Sequence, residues 1–212
     1  MTFFRRLARI VVWPRTTMRE ILDDPRGRMI LPLVLLASFS GLIGNANQNA
    51  RGSLSRVPYA WFIVVAAMLG VMLLTVAFFY LFAWIAYLAG KFLEGRGSHA
   101  DVRAALAWGL APLIWALLYR LPATIAGPAV GMGQMRADSE AWRLEPGTGS
   151  CLIALVFGLL EFTMFVGYVV VSSRTLAEAH RFSAWRGFGT LLIVGITPIV
   201  IIIAAVLSFV HH

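Results

Sequence analysis

Long uncharged apolar runs alternate along this chain with short segments that collect nearly all of its charge. No charged residue lies between Arg28 and Arg51, and none from Val57 to Gly90. A hydrocarbon core about 30 Å thick needs about 20 apolar residues in a helix. Five segments meet that length. The first runs from Met29 to Ala46, and the second lies within Val57–Gly90. The third covers Ala104–Ala126 and is interrupted by Pro112, Arg120 and Pro122. The fourth, Ser150–Ser172, carries Glu161. The fifth, Gly187–Val210, contains Gly195 and Pro198. At 1.5 Å per residue the second run is about 51 Å long. With no proline or asparagine in its interior, it reads as one helix, tilted or projecting beyond the headgroups. The pattern predicts an all-α integral membrane protein with five transmembrane helices. Residues 1–28 form an amphipathic cytoplasmic segment and 29–210 a single transmembrane domain. The terminal pair 211–212, two histidines, reads as a tag remnant without a role.

Composition agrees with the pattern. Hydrophobic residues make up 59% of the 212 and charged residues 13%, against about 45–50% and about 25% in soluble domains. Too few polar side chains are present to clothe a water-facing surface. A soluble enzyme, a disordered chain and a disulfide-stapled module are therefore excluded. Cys151, the single cysteine, has no internal partner. The net charge of +8 would suit nucleic acid, but the basic residues sit between apolar runs, so nucleic acid is not expected as a partner. Near-absence of Lys beside abundant Arg, Ala and Gly fits a GC-rich bacterial genome. Of the 18 basic residues, 13 fall on the side of the N-terminus and 5 on the other. The positive-inside rule then puts the N-terminus in the cytoplasm and the C-terminus outside, in a bacterial inner membrane. The apolar stretch near Ile10–Trp13 is too short for a signal peptide.

At 100° per residue Phe3, Phe4, Leu7, Ile10 and Val11 share one helical face, and Arg5, Arg6 and Arg9 the other. Such a helix suits the headgroup plane, with its arginines on anionic lipid; the other reading packs it on the transmembrane bundle. Pro14 is expected to break it. Thr17-x-x-Glu20 reads as the capping box of a short second helix, which Asp23-Asp24-Pro25 ends.

Two further groups of residues resemble a known family. Pro14, Met18, Ile21 and Pro25 reproduce its Pro-x-x-x-apolar-x-x-Ile-x-x-x-Pro element. Gly90-Lys91-Phe92-Leu93-Glu94-Gly95-Arg96-Gly97-Ser98, then Ala107-Trp108-Gly109-Leu110-Ala111-Pro112, resembles its glycine loop leading into a small-aromatic-x-x-x-Pro helix. The chain is similar in this to the Yip (Ypt/Rab-interacting) membrane proteins, over essentially its whole length. The resemblance implies five helical spans with a cytoplasmic N-terminus. Eukaryotic members act in ER–Golgi vesicle traffic and bind Rab GTPases through a long hydrophilic N-terminal region. Only 28 residues precede the first span here, so GTPase binding is not carried over, and the chain resembles the bacterial branch.

Candidate chemistry is sparse. Glu161 lies near the middle of the fourth span, where an ionisable group marks function or a partner. Its face also carries Ala154, Gly158, Phe165 and Tyr168, and Leu155, Leu159, Phe162, Val166 and Val170 are expected to face lipid. Arg120 is its candidate partner, on a stripe with Ala105, Gly109, Pro112 and Ala116. The pair reads either as an ion, proton or headgroup site or as a structural ion pair. Gly95-Arg96-Gly97 with Ser98-x-x-Asp101 reads as a turn and helix cap, because no strand or P-loop lysine accompanies it. His99 beside Glu94 and Asp101 falls short of a metal cluster. No catalytic set, cofactor or metal is expected. The function expected is a non-enzymatic scaffold or membrane-organising protein, with a small transporter or lipid-translocating protein as the alternative. Anionic lipids, unidentified proteins and a second copy of the chain remain as partners.

Overall fold

The computed structural model describes residues 2–24, 28–49, 60–126 and 148–210. All regular structure among them is helical. The helices are α1 (Phe3–Val12), α2 (Pro14–Asp23), α3 (Ile30–Asn49), α4 (Ala60–Phe92), α5 (His99–Gly109), α6 (Ala111–Trp115), α7 (Leu117–Ala126), α8 (Thr148–His180) and α9 (Ala184–Val210). Two described helices are long and apolar enough to cross a bilayer, Phe62–Phe92 and Leu155–His180. The broken pair His99–Trp115 and Leu117–Ile125, bent by 41°, makes a third, and Ile30–Gly44 is a shorter apolar helix. Helix α9 occupies the fifth predicted segment.

The second run is one uninterrupted helix of 33 residues, and α8 matches it in length. The third segment breaks where its sequence says it must. Pro112 has no N–H and its ring crowds the carbonyl four residues back. It therefore sits in the first turn of α6, where a missing donor costs nothing. At the break the Leu110 N–H turns to Ala107 O at 3.2 Å. The segment begins with a capping box: Ser98 Oγ accepts from Asp101 N–H at 3.2 Å, and Asp101 Oδ2 accepts from Ser98 N–H at 3.4 Å and from its hydroxyl at 2.6 Å.

Around the bundle each helix packs on the next in the order α3, α4, α9, α8, α5–α6 and back to α3. Helices α1 and α2 fold against α5, α6 and α8. The buried face of α1 is Leu7 and Ile10, and Phe3 lies against Trp108 with ring centroids 5.9 Å apart. Two indoles hold this N-terminal segment by its backbone: Trp115 Nε1 donates to Leu7 O at 3.2 Å and Trp108 Nε1 to Arg28 O at 3.1 Å. The second helix departs from expectation. It starts at Pro14, not after a Thr17 cap, and Thr17 is buried in its interior. Proline preset for the first helical turn outcompetes the hydroxyl three residues on.

Candidate functional site

Helices α7 and α8 bring Arg120 and Glu161 together. Arg120 Nε donates to Glu161 Oε1 at 2.8 Å, and Nη2 donates to Oε2, so the guanidinium forks onto both carboxylate oxygens. Its remaining nitrogen, Nη1, reaches α3 and donates to Ser40 O at 3.0 Å and to Ser40 Oγ at 3.1 Å. The Ser40 hydroxyl donates in turn to Leu113 O at 2.6 Å on α6. One arginine thus ties together four helices. Gly44 makes the approach possible: a Cβ there would lie 3.3 Å from Arg120 Nε. A planar fork satisfied on every nitrogen is a strong, oriented charge-assisted contact. It can neutralise two intramembrane charges and fix the relative position of the helices. The Tyr119 hydroxyl lies against the same pair.

The stripe predicted beside Arg120 is buried throughout, at Ala105, Gly109, Pro112 and Ala116. On the Glu161 helix, Leu155, Leu159, Phe162, Val166 and Val170 are exposed, as expected of a lipid-facing side. Gly158 does not face protein: a Cβ there would meet nothing within 4 Å. Phe165 is exposed too. The close approaches on α8 come further along, where Gly109 would set a Cβ 2.5 Å from Ser172 Oγ and Gly167 one 3.5 Å from Pro112.

Gly90, Gly95 and Gly97 converge on a residue that the sequence reading had passed over, His180. Added Cβ atoms would come within 2.1 Å of its Nε2 from Gly90 and 2.5 Å of its Nδ1 from Gly95. From Gly97 a Cβ would come within 2.5 Å of Ala179 O. The ring is 1% exposed and stacks on Phe182, centroids 5.1 Å apart and nearly parallel. The polar contact of the ring is with the Ala86 backbone. The two long helices end around this ring in the same way. Gly95 N–H returns to Gly90 O at 2.8 Å and Glu94 N–H to Lys91 O at 3.0 Å; Phe182 N–H returns to Ala177 O at 3.0 Å and Arg181 N–H to Glu178 O at 3.2 Å. Glu94 and Arg181 take the left-handed conformation that such paired closures require. Arg96 N–H donates to His180 O at 3.0 Å, which locks one helix end to the other. The sequence signal for this site was the glycine loop; His180, which lies beyond the fourth apolar segment, carried none.

The remaining predicted residues are surface-paired. Arg6 donates to Asp24 at 2.8 Å, Arg9 meets Glu20 at 3.2 Å, and Arg5 is exposed. Asp101 is engaged by Arg28 at 3.0 Å and Glu94 by Arg186 at 3.5 Å, and His99 packs edge-on to Tyr87. Among the described residues no three His, Cys, Asp or Glu gather as metal ligands.

The structure thus defines an all-helical membrane protein with a broken span, a charge pair across it and a glycine-lined helix junction. The Yip1 domain model matches residues 8–207, and the chain belongs to that family. Neither the comparison with curated proteins nor that with solved structures finds a match.

Proposed function

We propose that this chain is a non-enzymatic, membrane-organising member of the Yip1 family. It crosses a bacterial inner membrane five times, with the N-terminus in the cytoplasm and the C-terminus outside. The basic asymmetry of 13 against 5 supports that orientation. The observation that carries the functional reading is the fork of Arg120 on Glu161, extended by the same guanidinium to Ser40. A polar solute needs groups free to rebind it along a path. Here the charged groups inside the apolar region are spent on one another, as a bolt between helices. Helices α1 and α2 supply the working surface. Leu7 and Ile10 are used inward, while Phe4, Val12 and Trp13 remain exposed beside Arg5. Those residues suit the boundary between anionic headgroups and acyl chains. Protein partners and further copies of the chain dock on the same cytoplasmic side.

The test uses the purified chain in vesicles of phosphatidylethanolamine and phosphatidylglycerol, with shape followed by cryo-electron microscopy and proton entry by an internal dye. Vesicles narrow or tubulate with rising protein density, deletion of residues 2–13 weakens this at least twofold, and no proton leak appears. Unaltered vesicle shape at every density overturns the reading. So does a proton flux that Glu161→Gln abolishes, which identifies a transporter instead.

A further inference from the structure

The ring of helices does not fill its own centre. Between α3, α4, α5–α6, α8 and α9 lies a groove of about 810 Å³, well within the roughly 300–1,000 Å³ of small-molecule sites. Among the described residues no charged side chain lines it, and Ser38, Thr75 and Tyr168 are its only polar ones. Thr75 is spent on its own helix, donating to Val71 O at 2.8 Å. Ser38 is not: it is 9% exposed, and its hydroxyl has no partner. Two glycines keep the space open. A Cβ added at Gly41 or at Gly195 would meet nothing within 4 Å, although both line the groove.

We propose that the groove holds one acyl chain of a membrane phospholipid. The inference rests on the chain being a membrane protein of the kind argued above, and it adds a ligand to that reading. Water is disfavoured, because an apolar void without two to four polar partners per molecule stays dry. A polar solute finds one free hydroxyl. The medium around these helices is hydrocarbon: Leu73, Leu74, Leu81 and Leu118 face outward from α4 and α7. An acyl chain is therefore both the most abundant neighbour and the best chemical match to a wall of Phe78, Phe79, Phe82, Leu110 and Leu191. A chain held there makes the lipid part of the bundle and couples the protein's packing to membrane composition.

The test is photo-cross-linking of the full chain in nanodiscs, using a phosphatidylethanolamine with a diazirine in one acyl chain and mapping the adducts by mass spectrometry. Adducts are expected at groove residues Leu42, Leu110 and Val169, as well as at outward Leu73 and Leu118. The double variant G41L/G195L puts two bulky side chains into the groove from positions where an added Cβ meets no neighbour. It should lose the groove adducts at least fivefold, keep the outward ones and unfold no earlier than the wild type. Outward adducts and thermal unfolding report on folding, and the milder Gly41→Ala and Gly41→Val give a graded loss if the double variant fails to fold. Adducts confined to outward residues overturn the proposal, as do groove adducts indifferent to filling. In parallel, Ser38→Cys in a Cys151→Ser background should resist a small water-soluble thiol reagent; rapid labelling means a water-filled path and overturns it. A dimer in native mass spectra that the double variant loses means that a second copy occupies the groove and overturns the proposal. Absence of groove adducts from the wild type, with vesicle remodelling intact, defeats this inference alone and leaves the functional reading in place.

Discussion

The helix junction at His180 and the groove between α3 and α9 use the same residue for opposite ends. At the junction, glycine is present because there is no room: Gly90 and Gly95 admit the imidazole, and Gly97 admits the Ala179 carbonyl. In the groove, Gly41 and Gly195 face empty space. The first arrangement fixes two helix ends against each other by backbone hydrogen bonds and ring contact. The second withholds side chains and leaves volume for something else. Glycine content alone says nothing of which is in play. The difference lies in what stands opposite, and one end of this bundle is built for rigidity while its middle is built to be occupied.

The largest effect should come from adding a methyl at the junction. Gly90→Ala places Cβ where His180 Nε2 already lies, and overpacking of this kind costs about 1–3 kcal/mol or more. Thermal unfolding in detergent should fall sharply. His180→Ala should restore most of the loss in the double variant, because it removes the atoms that clash; such coupling is the signature of direct contact. Gly97→Ala is the control. Its clash is with a backbone carbonyl, so His180→Ala should not rescue it. Equal rescue of both would mean that the junction relaxes as a whole and that the cradle is soft.

Next in size is the Arg120–Glu161 bolt. Glu161→Gln leaves Arg120 its two contacts with Ser40, whereas Arg120→Gln strips α3 and α8 of their shared donor. Arginine loss should be the worse, by about 2 kcal/mol against about 1, within the range of hydrogen bonds between membrane helices. The double variant should cost less than the sum, since neither partner is left alone. Additive losses would show that the two side chains do not depend on each other.

Much of this was readable in the chain, and the gaps have physical reasons. Uncharged runs give long helices because a span must satisfy its own backbone, which is why α4 and α8 were expected as single helices. The Ser98 cap is local chemistry within four residues. The charge pair was legible because each member is expensive alone in hydrocarbon and a long arginine side chain beyond mid-span can reach inward to a glutamate on the next span. His180 was not legible, since it meets Gly90 from 90 residues away and no spacing rule carries contact information over that distance. Thr17 misled because a capping signature and a proline-led first turn overlap in sequence. Gly158 misled because a small residue permits close approach without requiring it. The inward use of Leu7 and Ile10 follows from the two indole clamps on the N-terminal backbone, which depend on where Trp108 and Trp115 lie along a bent span.

A smaller effect belongs to the Ser98 cap. Ser98→Ala removes the acceptor for Asp101 N–H and the bond back to Asp101. A lost cap costs about 1 kcal/mol. The loss should appear as faster hydrogen exchange confined to the first turn of α5, where the helix leaves the junction. Exchange spreading to Gly95–Gly97 would show that the cap also holds the cradle in shape.

The smallest effect is the sharpest test of the comparison. Gly41→Ala is the same substitution as Gly90→Ala, made at a site where a Cβ has no neighbour within 4 Å. Alanine is favoured over glycine inside a helix by about 0.5–1 kcal/mol, because it restricts the unfolded chain. With nothing to clash against, that gain should survive as a slightly raised unfolding temperature. A methyl in the groove displaces little of an occupant that is itself flexible hydrocarbon, so the gain should persist in lipid nanodiscs. The two glycines then respond with opposite sign to one identical change. Should Gly41→Ala destabilise in detergent as Gly90→Ala does, helices α3 and α9 would have to close on each other in solution. The groove would then be no vacancy, and the contrast between a packed end and an occupied middle would fail.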